Sequence, residues 1–288
     1  MWDIRCETNS HISYLTSINL INMKIKKNIL SILGWVAIFT FLVLSMSFVK
    51  NEEYKQRCTK LKIEVIDSTK YLFIDKNEIK QLVNDSNISI IGYPISEINT
   101  LKIENILKKH SSIKDVRTYC SLKGSIGVEI TQRKPILRII NYSGESYYID
   151  KDGVMMRLSD IYTARVIVIN GHINEPFEAR HNINLKEDDN NNIIRGKVLK
   201  DVFNLVLYIN NDKLWRSQFQ QIYVNTDNEY ELIPIVGTQK IMLGKINNYK
   251  TKLRNLKAFY KKGIEKRGWN TYSEINLKYE NQIVCTKK

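Results

Sequence analysis

Residues 116–130, VRTYCSLKGSIGVEI, contain a predicted β-hairpin, and this hairpin decides the fold of the middle of the chain. Side chains alternate between two faces on either side of Lys123-Gly124, a pair that favours a tight turn. One face of the first strand carries Val116, Thr118, Cys120 and Leu122, and one face of the second carries Ile126, Val128 and Ile130. Because one face of each strand is largely apolar, we expect the hairpin to pack against a second layer.

The second layer is predicted from the residues upstream of the hairpin. Leu61, Ile63 and Val65 alternate with charged residues and indicate a further strand. Two helices follow it: Asp75 and Glu78 have capping-box spacing at the start of the first, and Asn99 is the predicted N-cap of the second. Their apolar stripes are Ile79, Leu82 and Val83, then Ile103, Ile106 and Leu107. The order strand, helix, helix, strand, strand predicts an α+β domain with two helices on one side of a small sheet.

The second half of the chain predicts a mixed β domain with flanking helices. Tyr147–Asp150 indicates a strand, and Asp152-Gly153 is a strong turn pair. Two or three further strands are predicted over 221–226, 230–236 and 240–243. Helices are predicted at 196–210 and along the Leu253, Leu256, Tyr260 stripe, and one closing strand over Glu274–Cys285.

The N-terminal part contains an apolar run, Ile29–Val49, of 21 residues without a charge. A helix of that length covers roughly 32 Å, close to the roughly 30 Å hydrocarbon core of a bilayer. Lysines 24, 26 and 27 precede the run. Basic residues stay in the cytoplasm, so we expect residues 1–28 to be a cytoplasmic tail, 29–49 a transmembrane helix and the rest extracytoplasmic.

We favour an uncleaved anchor over a cleaved signal peptide, whose apolar region has only about 7–15 residues. Residues 1–22 are either a genuine tail or a consequence of start-codon choice. These alternatives stay open in the sequence.

The composition limits the possible partners and sites. The chain has 44 Lys and Arg against 30 Asp and Glu, a net charge of +14, of which +11 follows residue 50. A basic exported domain suits lipid headgroups or acidic partners, and its predicted compartment argues against nucleic acid. Cys6, Cys58, Cys120 and Cys285 have no metal-ligand spacing. We expect Cys120 to be buried as a small hydrophobe, with a disulfide as the less favoured alternative.

No catalytic motif is found in the sequence. There is no Gly-x-Ser-x-Gly and no His-Glu-x-x-His, and Ile246 follows Gly244-Lys245 where a phosphate loop needs Ser or Thr. Asp150 and Asp152 form a possible carboxylate pair, but the adjacent Gly153 favours a turn. The sequence therefore predicts no catalytic, cofactor-binding or metal-binding residue and no small-molecule substrate.

Three segments carry a family resemblance: Ile113–Val116, the turn at Gly124 and Val128–Ile136. They resemble the bacterial cell-division family FtsQ/DivIB, whose extracytoplasmic part begins with a POTRA domain. Two mild departures occur: His110-Ser111 stands where the family usually has His-Pro, and Gln132-Arg133-Lys134 stands where Glu-Arg often precedes Pro135. Tyr147–Gly153 and Leu277-Lys278-Tyr279 continue the resemblance in the same order.

The resemblance implies a fold and a function. It implies a POTRA domain at 59–133, an FtsQ-type β domain at 134–288, and a single-span inner-membrane scaffold of the divisome at the septum. Expected partners are small single-span coiled-coil proteins of the FtsB and FtsL types and other division proteins. Partner contact is implied on the closing strand, at Leu277, Lys278, Tyr279, Asn281 and Gln282. A terminal strand leaves one edge for a partner's strand.

Two other functions remain alternatives. One is a membrane-anchored extracytoplasmic enzyme, which the missing nucleophile, metal and paired-acid patterns disfavour. The other is a POTRA protein of envelope assembly or secretion. That class normally has several POTRA units or a long membrane-embedded domain, for which residues 134–288 leave little room.

Overall fold

The computed structural model describes residues 32–45, 56–66, 72–86, 88–121, 123–177, 197–264 and 268–288. These residues form two compact units. The first holds the described residues of Met1–Lys60, Ile90–Ile98 and Leu122–Gly124. The second holds those of Leu61–Ser89, Asn99–Ser121 and Ser125–Lys288.

Residues 32–45 form a helix, α1, inside the predicted transmembrane run. Its apolar side chains are exposed, and the Thr40 and Ser45 hydroxyls donate to the carbonyls of Ala37 and Leu42 in the preceding turn. In the described part of the chain, none of the helices has both the length and the apolar character that a bilayer crossing needs. The other residues of the predicted run, 29–31 and 46–49, and the predicted tail lie outside the described residues.

A three-stranded sheet with two helices occupies the part of the chain before residue 133. Its strands are β1 (Lys60–Ile66), β2 (Ile113–Ser121) and β3 (Ser125–Gln132), in the order β1-β3-β2, and β2 and β3 are antiparallel. Helices α2 (Lys76–Asp85) and α3 (Thr100–Leu107) lie between β1 and β2 in the sequence, with a short 3-10 helix at Ile95–Glu97. The predicted order of strand, helix, helix, strand, strand is confirmed.

The predicted helix starts are also confirmed. Asp75 Oδ1 accepts from the Glu78 N–H at 2.7 Å, and Asn99 Oδ1 accepts from the Lys102 N–H at 3.0 Å, so each satisfies a backbone donor that the helix leaves unpaired. The Glu78 carboxylate lies 3.3 Å from the His110 imidazole. Of the predicted stripes, Ile79, Val83, Ile103 and Leu107 are at most 1% exposed, while Leu82 and Ile106 are only partly buried.

The remainder of the chain forms a mixed sheet, with nine strands among the described residues in the order β12-β11-β10-β9-β8-β7-β4-β5-β6. The strands are β4 (Pro135–Ile140), β5 (Ser146–Asp150), β6 (Met155–Met156), β7 (Ile167–Gly171), β8 (Phe219–Val224), β9 (Tyr230–Pro234), β10 (Lys240–Gly244), β11 (Tyr272–Asn276) and β12 (Val284–Lys287). The pairs β4–β7, β7–β8 and β10–β11 are parallel, and the others are antiparallel.

Three helices pack against this sheet. They are α4 (Lys197–Asn211), α5 (Lys213–Gln218) and α6 (Tyr249–Phe259), and α6 continues into a π-helical turn at Tyr260–Ile264. One face of the sheet joins them in a single buried core. The register places one row of buried side chains side by side across seven strands: Tyr147, Ile139, Ile169, Ile222, Leu232, Ile241 and Ile275. This layer of helices on a sheet is the predicted mixed β domain with flanking helices.

The prediction of one closing strand over 274–285 is wrong. Two strands, β11 and β12, pair antiparallel, with Ile275 opposite Cys285 and Asn276 opposite Val284. Asn281 lies between them with φ 57°, a left-handed conformation that reverses the chain and that Asn tolerates better than most residues. Apolar and polar residues continue to alternate through the turn, so the sequence pattern does not reveal that the chain reverses there.

The predicted burial of Cys120 is also wrong, because this side chain is exposed. Cys120 lies one residue before the end of β2, which is an edge strand of the three-stranded sheet, so only one strand flanks it. Cys58 is buried and Cys285 is partly buried, and none of these three described cysteines is in a disulfide.

Candidate partner-binding site

The connection between β11 and β12, residues 277–283, forms one wall of a cavity of about 550 Å³. The opposite wall comes from the start of α6, the β10–α6 connection and the end of the β8–β9 turn. All five residues predicted to bind a partner line this cavity. The full lining is Glu229, Lys245, Asn247, Asn248, Thr251, Lys252, Asn255, Leu277, Lys278, Tyr279, Glu280, Asn281, Gln282 and Ile283.

Leu277 anchors the connection to the core. Its side chain is 2% exposed, and its N–H donates to the Met242 carbonyl of β10 at 2.9 Å. Burial of a leucine side chain contributes about 2 kcal/mol to folding. Leu277 therefore fixes the floor of the cavity and has little surface left for a partner.

Lys278 is held by an ion pair with Glu229 from the β8–β9 turn. The Nζ–Oε2 distance is 2.5 Å, and the two side chains are 33% and 22% exposed. The hydrogen bond to Lys278 holds the pKa of the Glu229 carboxyl below its ordinary value, and the same bond raises the pKa of Lys278. Gly244 makes room for the lysine stem, since a Cβ there would lie 2.8 Å from Lys278 Cγ.

Tyr279 is the large exposed side chain of the connection, with 54% of its surface accessible. It is followed by the turn whose left-handed residue is Asn281. Lys278 donates its N–H to Asn276 Oδ1 at 3.0 Å, which fixes the backbone just before the tyrosine. The fold thus presents an aromatic ring from a restrained backbone, and such a ring has little conformational entropy to lose on binding.

The helix wall is held by Lys252. Its Nζ donates to the carbonyls of Leu243 and Lys245, each at 2.9 Å, and so ties α6 to the end of β10. Burial lowers the pKa of this ammonium group. Lys252 is therefore a structural member of the wall.

The charges and groups in the lining suit binding. Three lysines and two glutamates line the cavity, with several carboxamides and one tyrosine. His, Cys, Ser and Asp are not among these described lining residues. In the part of the chain that the structure describes, no group of three or more His, Cys, Asp or Glu has a metal-binding arrangement.

The structure brings the five predicted residues to one site but gives them different roles. Leu277 is in the core and Lys278 is engaged by Glu229, while Tyr279, Asn281 and Gln282 are exposed. Sequence reasoning missed Glu229, Lys245 and Lys252. The sequence indicates only that these residues lie on polar turns or on the polar side of a helix. The tertiary fold brings them together.

Asp150 and Asp152, the other carboxylates considered from the sequence, belong to a turn as predicted. Asp150 Oδ1 accepts from the N–H groups of Asp152 and Val154, each at 2.8 Å. Gly153 follows with φ 85°.

Comparison with known families gives two matches. The family described as FtsQ/DivIB, C-terminal related, matches residues 134–286, which is more than half of the chain. The family described as POTRA-like domain matches residues 56–131. No curated protein matches the chain.

Proposed function

This chain belongs to the FtsQ/DivIB family, a non-enzymatic family of division proteins, and on that basis we propose that it is a membrane-anchored scaffold of the divisome. Its role is therefore related to cell division. The proposal adds that the chain recruits and links division proteins at the septum through its extracytoplasmic part. It acts by binding and has no substrate of its own.

The proposed anchor is the uncharged run Ile29–Val49, inserted with residues 1–28 in the cytoplasm. The lysines before the run and the helical conformation of 32–45 support it. An active periplasmic reporter fused after Lys288 is expected. A fusion active only with a cytoplasmic reporter would contradict this orientation.

The observation that carries the binding proposal is the exposed Tyr279 ring, which lines a cavity next to the buried Leu277. Aromatic residues are frequent energetic centres of protein interfaces. Beside it, β12 is the last strand in the sheet order, so no described strand pairs with its outer side. A partner of the FtsB type, accompanied by one of the FtsL type, would add a strand along β12 and pack on Tyr279.

The binding test uses the full chain in detergent and the FtsB-type partner. Tyr279→Ala is expected to weaken binding by about 2 kcal/mol, roughly 30-fold in Kd. Tyr142→Ala is the matched control, because Tyr142 is 75% exposed and is not in the lining of the cavity. Equal partner affinity of the two variants would remove Tyr279 from the interface.

The cellular role has its own test. Depletion of the protein in its source bacterium is expected to give filaments in which septation is blocked. Normal septation during depletion would contradict a role in the divisome.

A further inference from the structure

The connection after α2 carries two large apolar side chains at the surface. In the stretch 90–94, here called the 90–94 loop, Ile91 is 68% exposed and Tyr93 is 50% exposed. They flank Gly92, which has φ 87° and no atom within 4 Å of the place of a Cβ. Single exposed apolar residues are common, so their position in the protein decides what they mean.

Backbone hydrogen bonds tie the 90–94 loop to residues 56–58. The Cys58 N–H donates to the Tyr93 carbonyl at 2.8 Å, and the Gly92 N–H donates to the Cys58 carbonyl at 2.7 Å. Arg57 forms a β-bridge with Pro94, and its guanidinium donates to the Gly92 carbonyl at 2.8 Å. The loop therefore stays beside the segment that follows the proposed anchor.

The length of the tether limits how far this segment lies from the bilayer. The uncharged run ends at Val49, and only residues 50–55 separate it from Gln56. A fully extended chain spans at most about 3.6 Å per residue, so Gln56 lies within roughly 25 Å of the end of the run. The headgroup region extends some 5–8 Å beyond the hydrocarbon core on each side, so the loop is within reach of the interface.

The charges around the loop suit anionic headgroups. Arg57 and Lys60 are exposed on the tied segment. Lys123 is exposed next to Gly124, whose carbonyl accepts from the Thr59 N–H at 2.8 Å. Glu97 is the exposed acidic residue of the following turn. An apolar pair beside three basic residues is typical of surfaces that lie in the membrane interface.

We propose that the 90–94 loop is a second membrane contact, in which Ile91 and Tyr93 insert into the lipid interface beside the anchor. Tyrosine suits this position because its ring is apolar and its hydroxyl reaches water. The contact rests on the proposed anchor, which brings the loop to the bilayer. It would hold the first structured part of the chain against the membrane.

The test is photocrosslinking of the full chain to lipid. The photoreactive residue p-benzoylphenylalanine replaces Tyr93, Tyr142 or Phe41 in separate variants, each reconstituted into phosphatidylethanolamine–phosphatidylglycerol vesicles with alkyne-tagged acyl chains. Phe41 reports the anchor, because it lies in the uncharged run. Tyr142 is the exposed tyrosine control. Lipid adducts at position 93 are expected at several-fold the yield at position 142.

The outcomes separate the loop from the anchor. Adducts at 41 with equal, low yields at 93 and 142 would overturn the loop contact and leave the anchor in place. Absence of adducts at 41 would overturn the anchor and the loop contact together. In a second variant, Ile91→Asp is expected to lower the yield at 93 towards that at 142 without changing the yield at 41. An unchanged yield at 93 would show that the apolar pair is not what contacts lipid, and would overturn the proposal.

Discussion

Arg133 and Asp150 form an ion pair in the interior of the protein. Arg133 Nη1 lies 2.9 Å from Asp150 Oδ2, and the side chains are 14% and 1% exposed. Arg133 lies between β3 and β4, and Asp150 ends β5. Asp150 Oδ1 holds the 150–154 turn. The Asp150 side chain therefore joins the short segment between the two family matches to the first hairpin of the C-terminal match.

Asp150→Asn is expected to lower the free energy of unfolding by about 3 kcal/mol, because a buried guanidinium loses its counter-charge. The control is Asp152→Asn. Asp152 pairs with Lys114 at 2.6 Å, but these side chains are 33% and 40% exposed. Such a pair contributes below about 1 kcal/mol. Urea unfolding of the full chain in detergent measures both, and equal losses would contradict the role given to the buried pair.

Gly171→Ala is expected to lower the free energy of unfolding by about 3 kcal/mol. One part of the loss is the strain of a left-handed backbone conformation, and the other is overpacking of the added Cβ against β8. Gly171 has φ 107°, and a Cβ there would lie 2.1 Å from the Val224 carbonyl oxygen. Gly144→Ala is the control: its φ is 86°, but nothing lies within 4 Å of its Cβ position. Gly144→Ala should lower the free energy of unfolding only by the backbone strain, about 1–2 kcal/mol. Thermal or urea unfolding that ranks the two variants equally would refute the steric argument.

Glu229→Gln is expected to lower Tm slightly at neutral pH, by less than about 1 kcal/mol in free energy, because the ion pair with Lys278 is partly exposed. Glu280→Gln is the control, since it removes the same charge from the same cavity. Tm of both variants and the unmodified chain at pH 7 and pH 3 gives the comparison. A Glu229→Gln effect as large at pH 3 as at pH 7 would exclude the ion pair as its cause.

The pH window follows from the directions of the two shifts. The folded pKa of Glu229 is depressed below 4.5, so its contribution is present above 4.5 and is lost as the pH falls through the folded pKa. The pKa of Lys278 is raised above 10.5, so its contribution is complete below 10.5 and is lost as the pH rises through the folded pKa.

Asn281→Pro is expected to unfold the β11–β12 turn, since proline fixes φ near −65° and Asn281 has φ 57°. The free energy of unfolding should fall by about 2 kcal/mol or more, and the variant should no longer capture the partner. Asn281→Gly is the control, and it should keep stability within about 0.5 kcal/mol because glycine adopts positive φ without strain. Circular dichroism and partner pull-down of both variants measure this. A Pro variant as stable as the Gly variant would contradict the left-handed turn.

Local sequence signals were sufficient for much of the fold. The caps at Asp75 and Asn99 and the stripe through Ile103 and Leu107 act within one helical turn, so they are visible without tertiary contacts. The Asp152-Gly153 turn is likewise local. Helix α5, by contrast, was not predicted, because its six residues are too few for a periodic pattern and begin at a single cap, Asp212.

The sequence by itself determined the α+β class and the order of the elements through β3, because caps, turns and periodicity act over a few neighbours. Only the tertiary structure decided that the closing segment is two strands, since Asn281 permits a left-handed turn but does not require one. Only the tertiary structure placed Glu229 beside Lys278, 49 positions away in the chain. Such pairs form only when the strands between them take their places in the sheet, and patterns over a few neighbours do not encode the order of those strands.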